Sequence, residues 1–463
     1  MSKEGENNHL NDVVDMDDPV NQFALGATYY NGIIGEPDCK EAVKWFRLSA
    51  EQGYFLAQFF LGLCYLYGQG VRKNKQKGVE WMRKAAEQGD PKAQFNLALS
   101  YEKGVGVKAD MKMAAAWYRV AAEQGEEDAQ FYLGRCYFQG EGVRANKKKA
   151  VKWWIKAAEQ GCECAQYFLG LCYYNGEGVK VDMKTATEWY LKAAEQGMAD
   201  AQFELANCYR DGIGVEKDKT LAFQWYLKAA EQGIADAQFE LANCYMDGIG
   251  TEKDKTLAFQ WYFKAAEKGH ADARFNIGIC YDNGIGVKID NIKAINWYRK
   301  AARQGNAFAQ YNLGCCYKCG VAVKKDMRNA VKWWLKAAEQ GIINAQFNLG
   351  LCYKNGCGVK MDKKKAVEWY LKAVEQGDAD AQFQLGNCYF YGDGVEKDEA
   401  EGVKWMLKAA EQGHDKAQYK LGFCYEYGYG AGKNMRKALE WYRKAAAQEN
   451  ELAVERLKEL NQN

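Results

Sequence analysis

The feature that most constrains this chain is a 36-residue period that runs from Asn21 to the far end without an insertion. Ala-Gln recurs at Ala57, Ala93, Ala129, Ala165, Ala201, Ala237, Ala309, Ala345, Ala381 and Ala417, and Ala273-Arg274 fills the one gap. Twelve units start at 21, 57, 93, 129, 165, 201, 237, 273, 309, 345, 381 and 417, and Ala453 opens a truncated thirteenth. Such a period means one supersecondary unit copied along an axis, each copy burying its apolar face against its neighbours. With 3 prolines in 463 residues and no linker-like stretch inside the repeats, one continuous array is expected rather than several domains.

Numbered from 0 at each start, positions 0, 4, 7, 8 and 11 hold Ala, Leu, Cys, Tyr and Gly, as in Ala57, Leu61, Cys64, Tyr65 and Gly68. This is helical spacing closed by a residue that can turn left-handed and stop the helix. A G-x-G-V loop follows. Asp or Asn then stands at position 17 of every unit, from Asp38 and Asn74 to Asp398 and Asn434, where it can accept from the open amides of a second helix. That helix carries an apolar stripe at positions 21, 22, 24, 25, 28 and 29, for example Ala114, Ala115, Trp117, Tyr118, Ala121 and Ala122. Tryptophan is invariant at position 24, so each one, Trp225 included, is expected in the core. Small residues at positions 0, 5, 28 and 29 allow helix axes to approach near the lower end of about 8 to 10 Å.

The composite A-Q-F-x-L-G-x-C-Y-x-x-G-x-G-V, an Asx cap, then K-A-V-x-W-Y-x-K-A-A-E-Q-G resembles the Sel1-like repeat, a relative of the tetratricopeptide repeat. The resemblance covers residues 21 to 463, with departures at Asn21, Ser49, Ile34 and Ala322. It implies an all-α, right-handed α-solenoid superhelix of twelve antiparallel helix pairs plus a C-terminal capping helix, used as an adaptor or scaffold. The expected divisions are an acidic, flexible tail over 1–20, repeats over 21–452 and a cap over 453–463. In that cap Leu457 and Leu460 cover the twelfth repeat while Arg456, Lys458 and Glu459 face water. Units 201–236 and 237–272 differ at five positions, Arg210/Met246, Val215/Thr251, Leu227/Phe263, Gln232/Lys268 and Ile234/His270, so the array has grown by copying.

On a helical wheel the buried face and the aromatic at position 2 leave positions 3, 6 and 10 of the first helix free, the strip that lines the concave side of tetratricopeptide-like solenoids. It starts aromatic and apolar (Phe60, Leu63, Tyr67, Tyr132, Phe168, Leu171) and ends aromatic (Tyr391, Phe423, Tyr427). Between these stand Asn96, Asn207, Asn243, Asn276, Asn312, Asn348 and Asn387, whose amides offer both donor and acceptor to an extended peptide backbone. Two readings stay open: a peptide-binding strip, or solvated asparagines beside aromatics that support packing. The second helices, with Lys at position 27, Glu at position 30 and pairs such as Glu80 and Lys84, read as a plain solvated face.

A net charge of +2 gives no field of one sign for nucleic acid or an anionic membrane. No apolar run reaches the roughly 18 residues of a membrane span, and the first twenty residues lack a leader-like apolar core. The expectation is a cytoplasmic protein, or one injected into a host, binding other proteins or extended peptides. Ten of 16 cysteines recur at position 7, one per repeat and too far apart to pair, so reduced structural thiols are expected. Cys315, Cys316 and Cys319, and Cys162 with Cys164, leave a metal or redox role as the lesser alternative. Three histidines (His9, His270, His414) and three serines form no catalytic arrangement, so no catalytic residue, cofactor or metal is expected. The alternative function is a cell-wall-ligand or penicillin-binding protein, or weak β-lactamase, as the resemblance to secreted cysteine-rich members suggests, although their paired cysteines are missing here.

Overall fold

The structure, a computed structural model, describes residues 15–33 and 35–462. All regular structure among these residues is α-helical, in 25 helices from Pro19–Asn31 to Glu451–Gln462. The chain is an all-α solenoid of helix pairs, of which Phe55–Tyr67 and Lys75–Glu87 are a representative one. It divides into two compact units, one ending at Gln232 with six pairs, the other beginning at Gly233 with six pairs and the final helix.

Local chemistry sets the boundaries. Asp18 accepts from the Val20 amide at 2.9 Å and Pro19 sits in the first turn, so the first helix starts two residues before the expected edge. Residues 15–20 thus lead directly into the array; residues 1–14 of the expected tail, and Ile34, lie outside the described residues. The last helix likewise begins at Glu451, ahead of Ala453, with Asn450 accepting from the Ala453 amide at 3.1 Å. First helices end on left-handed glycines such as Gly428, φ 83°. The second loop glycine also needs closeness: a Cβ on Gly106 would strike the Lys75 carbonyl of the preceding repeat. Ala322 holds this loop position at φ 53°, and Glu449 closes its helix at φ 60° where the other repeats have Gly.

The core corrects the tryptophan expectation for most repeats, although Trp369, at 9 % exposure, is buried as expected. Position 25 is the buried one: Tyr118 and Trp154 are 0 % exposed and Tyr226 is 1 %. Its ring lies flat over the first helix at position 5, where a Cβ on Gly26 would come within 2.7 Å of Phe46. Position 24 is 100° away on the wheel, so Trp225 is only half-buried, with the Lys228 ammonium 3.9 Å from its ring. Lys192 over Trp189 (4.0 Å) and Lys300 over Trp297 (3.8 Å) repeat the arrangement.

A polar thread also runs through the interior. Gln58, at position 1, donates to the Ala50 carbonyl of the preceding repeat at 3.2 Å and accepts from Gln88 at 2.8 Å. Gln346 and Gln376 do the same, at 3.1 Å to Ala338 and 2.9 Å between the glutamines. The recurrent A-Q and E-Q-G signalled this thread, which satisfies carbonyls at the ends of buried second helices. Arg274 keeps it intact by donating both to the Ala266 carbonyl (3.0 Å) and to Gln304 (2.6 Å), which here accepts.

Candidate functional site: the first-helix ribbon

Neighbouring first helices meet edge to edge. Arg135 donates to Glu102 at 2.5 Å, Lys354 to Gln384 at 2.9 Å, and Lys420 to the Tyr391 hydroxyl at 2.7 Å. Positions 9 and 10 of one repeat therefore face positions 3 and 6 of the next. Within each unit the expected strip becomes a continuous ribbon, to which position 9, unremarked in the sequence reading, contributes charge.

Its aromatic members divide into two kinds. Phe60 packs among Phe23, Phe46 and Tyr30, Tyr132 lies 5.3 Å from Tyr118, and Phe168 lies 5.2 Å from Trp154, so these rings join repeat to repeat. Leu63 and Leu171 are likewise half-buried against the cores beside them. Tyr67, Tyr391 and Tyr427 instead stand in water, at 67 %, 57 % and 47 % exposure. Phe423, half-buried, packs beside them: its ring is 4.7 Å from Tyr427 and 5.8 Å from Tyr429, and the Lys420 ammonium lies 4.8 Å from both Phe423 and Phe390.

The asparagines divide too. The buried position-25 phenol emerges on the ribbon and needs an acceptor: Tyr226 donates to Asn207 at 2.7 Å and Tyr262 to Asn243 at 2.6 Å. In three repeats whose position 6 is apolar, a carboxylate at position 9 serves instead: Glu102 for Tyr118 (2.6 Å), Asp282 for Tyr298 (3.1 Å) and Glu426 for Tyr442 (2.8 Å). The Tyr370 hydroxyl, with Leu351 and Lys354 at these positions, is instead buried without a hydrogen-bond partner among the described residues. Asn207 and Asn243 are therefore engaged by their own repeats, and Asn96 donates to the Lys92 carbonyl at 2.8 Å. Asn276, Asn312 and Asn348 face the phenols of Tyr262, Tyr298 and Tyr311. Asn387 is half-buried on the same strip.

Glu426 is a hub. Burial pushes its carboxyl up, but hydrogen bonds from Arg456 and Tyr442 outweigh that and leave it below its usual value. Arg456, expected to face water, thus anchors the last helix through Glu426 and the Tyr427 hydroxyl (3.0 Å).

His270 and His414 cap first helices, Nδ1 accepting from Ala273 at 3.1 Å and Ala417 at 3.0 Å, with their rings against Phe239 and Phe383. None of the 16 cysteines is joined in a disulfide. Burial pushes Cys64 up to about 12, so that thiol stays protonated. Cys316 is half-buried, unlike its position-7 counterparts, while Cys319 and Cys357 are exposed. Among the described residues no group of His, Cys, Asp or Glu is arranged to hold a metal ion, and no helix is long and apolar enough to cross a membrane.

Twelve segments, from 22–54 and 56–90 through to 379–414 and 415–450, match the Sel1 repeat family. The chain belongs to the Sel1 repeat family. Among solved structures, this Sel1 repeat protein is similar to a protective antigen of uropathogenic Escherichia coli strains that displays an SLR fold: 39% identity, 89% of each chain covered, TM-score 0.83. It is also similar to a Sel1 repeat protein of Oxalobacter formigenes, at 35% identity over 64% of this chain and 86% of the other, with a TM-score of 0.51. No curated protein matches it in sequence.

Proposed function

We propose that this Sel1 repeat solenoid is a protein-interaction scaffold that holds an extended peptide of its partner along the first-helix ribbon. Repeat solenoids of this kind are typical of scaffolds, and the ribbon is their continuous surface. The observation that carries the reading is the group of Tyr391, Phe423 and Tyr427, in which two phenol rings are 57 % and 47 % exposed beside the half-buried Phe423, leaving a broad aromatic surface open although Lys420 and Arg456 bond the phenol oxygens. Asn276, Asn312, Asn348 and Asn387, in the same unit, supply amides to a peptide backbone.

Affinity purification from a lysate of the source cell tests this with three forms of the full chain. These are the wild type, Tyr391→Ala with Tyr427→Ala, and Asn276→Ala with Asn312→Ala and Asn348→Ala. The expected outcome is loss of the same captured proteins from both variants at unchanged helical circular dichroism. Undiminished capture by both would sink the ribbon. The cell-wall or penicillin-binding alternative predicts hydrolysis of nitrocefin or retention on a penicillin resin, which the same preparation can be assayed for.

A further inference from the structure

The first three repeats depart from the plain second-helix face expected of the array. Arg47, Arg83 and Arg119 occupy position 26 of consecutive repeats, where Ile155, Leu191 and Leu227 stand in the next three. Each guanidinium donates to the position-8 phenol of the following repeat: to Tyr65 at 3.1 Å, Tyr101 at 3.0 Å and Tyr137 at 3.1 Å. A phenol is a neutral acceptor, so these bonds orient the guanidinium without cancelling its charge, and fork donors remain for a carboxylate. The loop after each tyrosine encloses a pocket beneath the arginine. Arg47 shares its pocket with Tyr65, Arg72, Lys73 and Lys77, and Arg119 shares its own with Tyr137, Arg144 and Lys149. No acidic side chain lines either. The pocket between them sets Arg83 and Lys108 against Glu80 and Asp110.

We propose that this row docks an acidic peptide segment of a partner protein, with Asp or Glu carboxylates seated on Arg47 and Arg119 and a neutral stretch crossing the middle pocket. The basic, mixed, basic alternation selects a peptide over nucleic acid. A phosphate backbone carries charge at every step and would meet Glu80 and Asp110, whereas a peptide spaces its charges by side chain. Preoriented arginines also lower the ordering entropy of binding. This surface is separate from the first-helix ribbon, so either reading can fail alone.

Fluorescence anisotropy of the full chain with a labelled Glu-rich peptide tests the proposal, with its Gln-for-Glu counterpart and a single-stranded oligonucleotide as comparison probes. The Glu-rich peptide is expected to bind best, weakening with salt, and to lose about tenfold or more in affinity with Arg47→Gln and Arg119→Gln together. Tyr65→Phe with Tyr137→Phe should weaken binding less, because the charge stays and only its orientation is lost. Arg72→Gln with Arg144→Gln, both exposed, repeats the measurement should the first pair unfold. Equal affinity for the neutral peptide, tighter binding of the oligonucleotide, or no loss in the folded arginine variants would overturn the proposal.

Discussion

At the scale of single residues, two adjacent aromatics have different tasks. Tyr226 is enclosed against the first helix and its phenol is bonded to Asn207, whereas Trp225 keeps one face under the Lys228 stem. Tyr226→Ala should therefore cost about 3 to 5 kcal/mol and Trp225→Ala about 2 kcal/mol, read as urea midpoints at constant slope. The reverse order would contradict the burial assignment. Ala322 gives a test with the opposite sign, since a Cβ at φ 53° is strained at a loop position that is glycine in ten of the twelve repeats. Ala322→Gly should stabilise the second unit by up to about 1 kcal/mol, and a lowered midpoint would show that the strain is absent.

At the scale of elements, each helix is set by what its ends can bond. Asx caps at position 17 and left-handed glycines at position 11 were legible one repeat at a time, and their side-chain bonds appear where the spacing put them, as with Asp218 accepting from Thr220 at 2.8 Å. The helix Glu451–Gln462 packs on Met435–Ala446 and is anchored by Arg456 on Glu426. The Glu426 carboxyl lies below its usual value when folded, so its contribution is present above the unfolded value of about 4.3 and is lost as pH falls through the folded value. Amides of Ala453 to Leu457 should lose hydrogen-exchange protection on acidification before those of Met435–Ala446. Glu426→Gln should remove that difference; a difference that persists would assign the effect to another group.

At the scale of the whole molecule, a buried thiol at position 7 of nine repeats, with Thr28 and Ser100 standing there in two others, makes cysteine a small core residue. Native protein purified without reductant should react quickly with a thiol reagent at Cys319 and Cys357, slowly at the rest, and at all 16 in denaturant. A shortfall in denaturant would reveal disulfides. The sequence alone determined the helix pairs, their order, their caps and the family, because period, glycine and Asx positions act within a few residues of chain. It also marked the strip at positions 3, 6 and 10. Tertiary structure decided what the wheel could not: which of two neighbouring aromatics is enclosed, which asparagines are already bound to a tyrosine, and where Arg47 and Tyr65 meet across repeats. Those outcomes depend on the angle and distance between helices, and a repeat pattern shared by every unit carries no record of which side chain its neighbour presents.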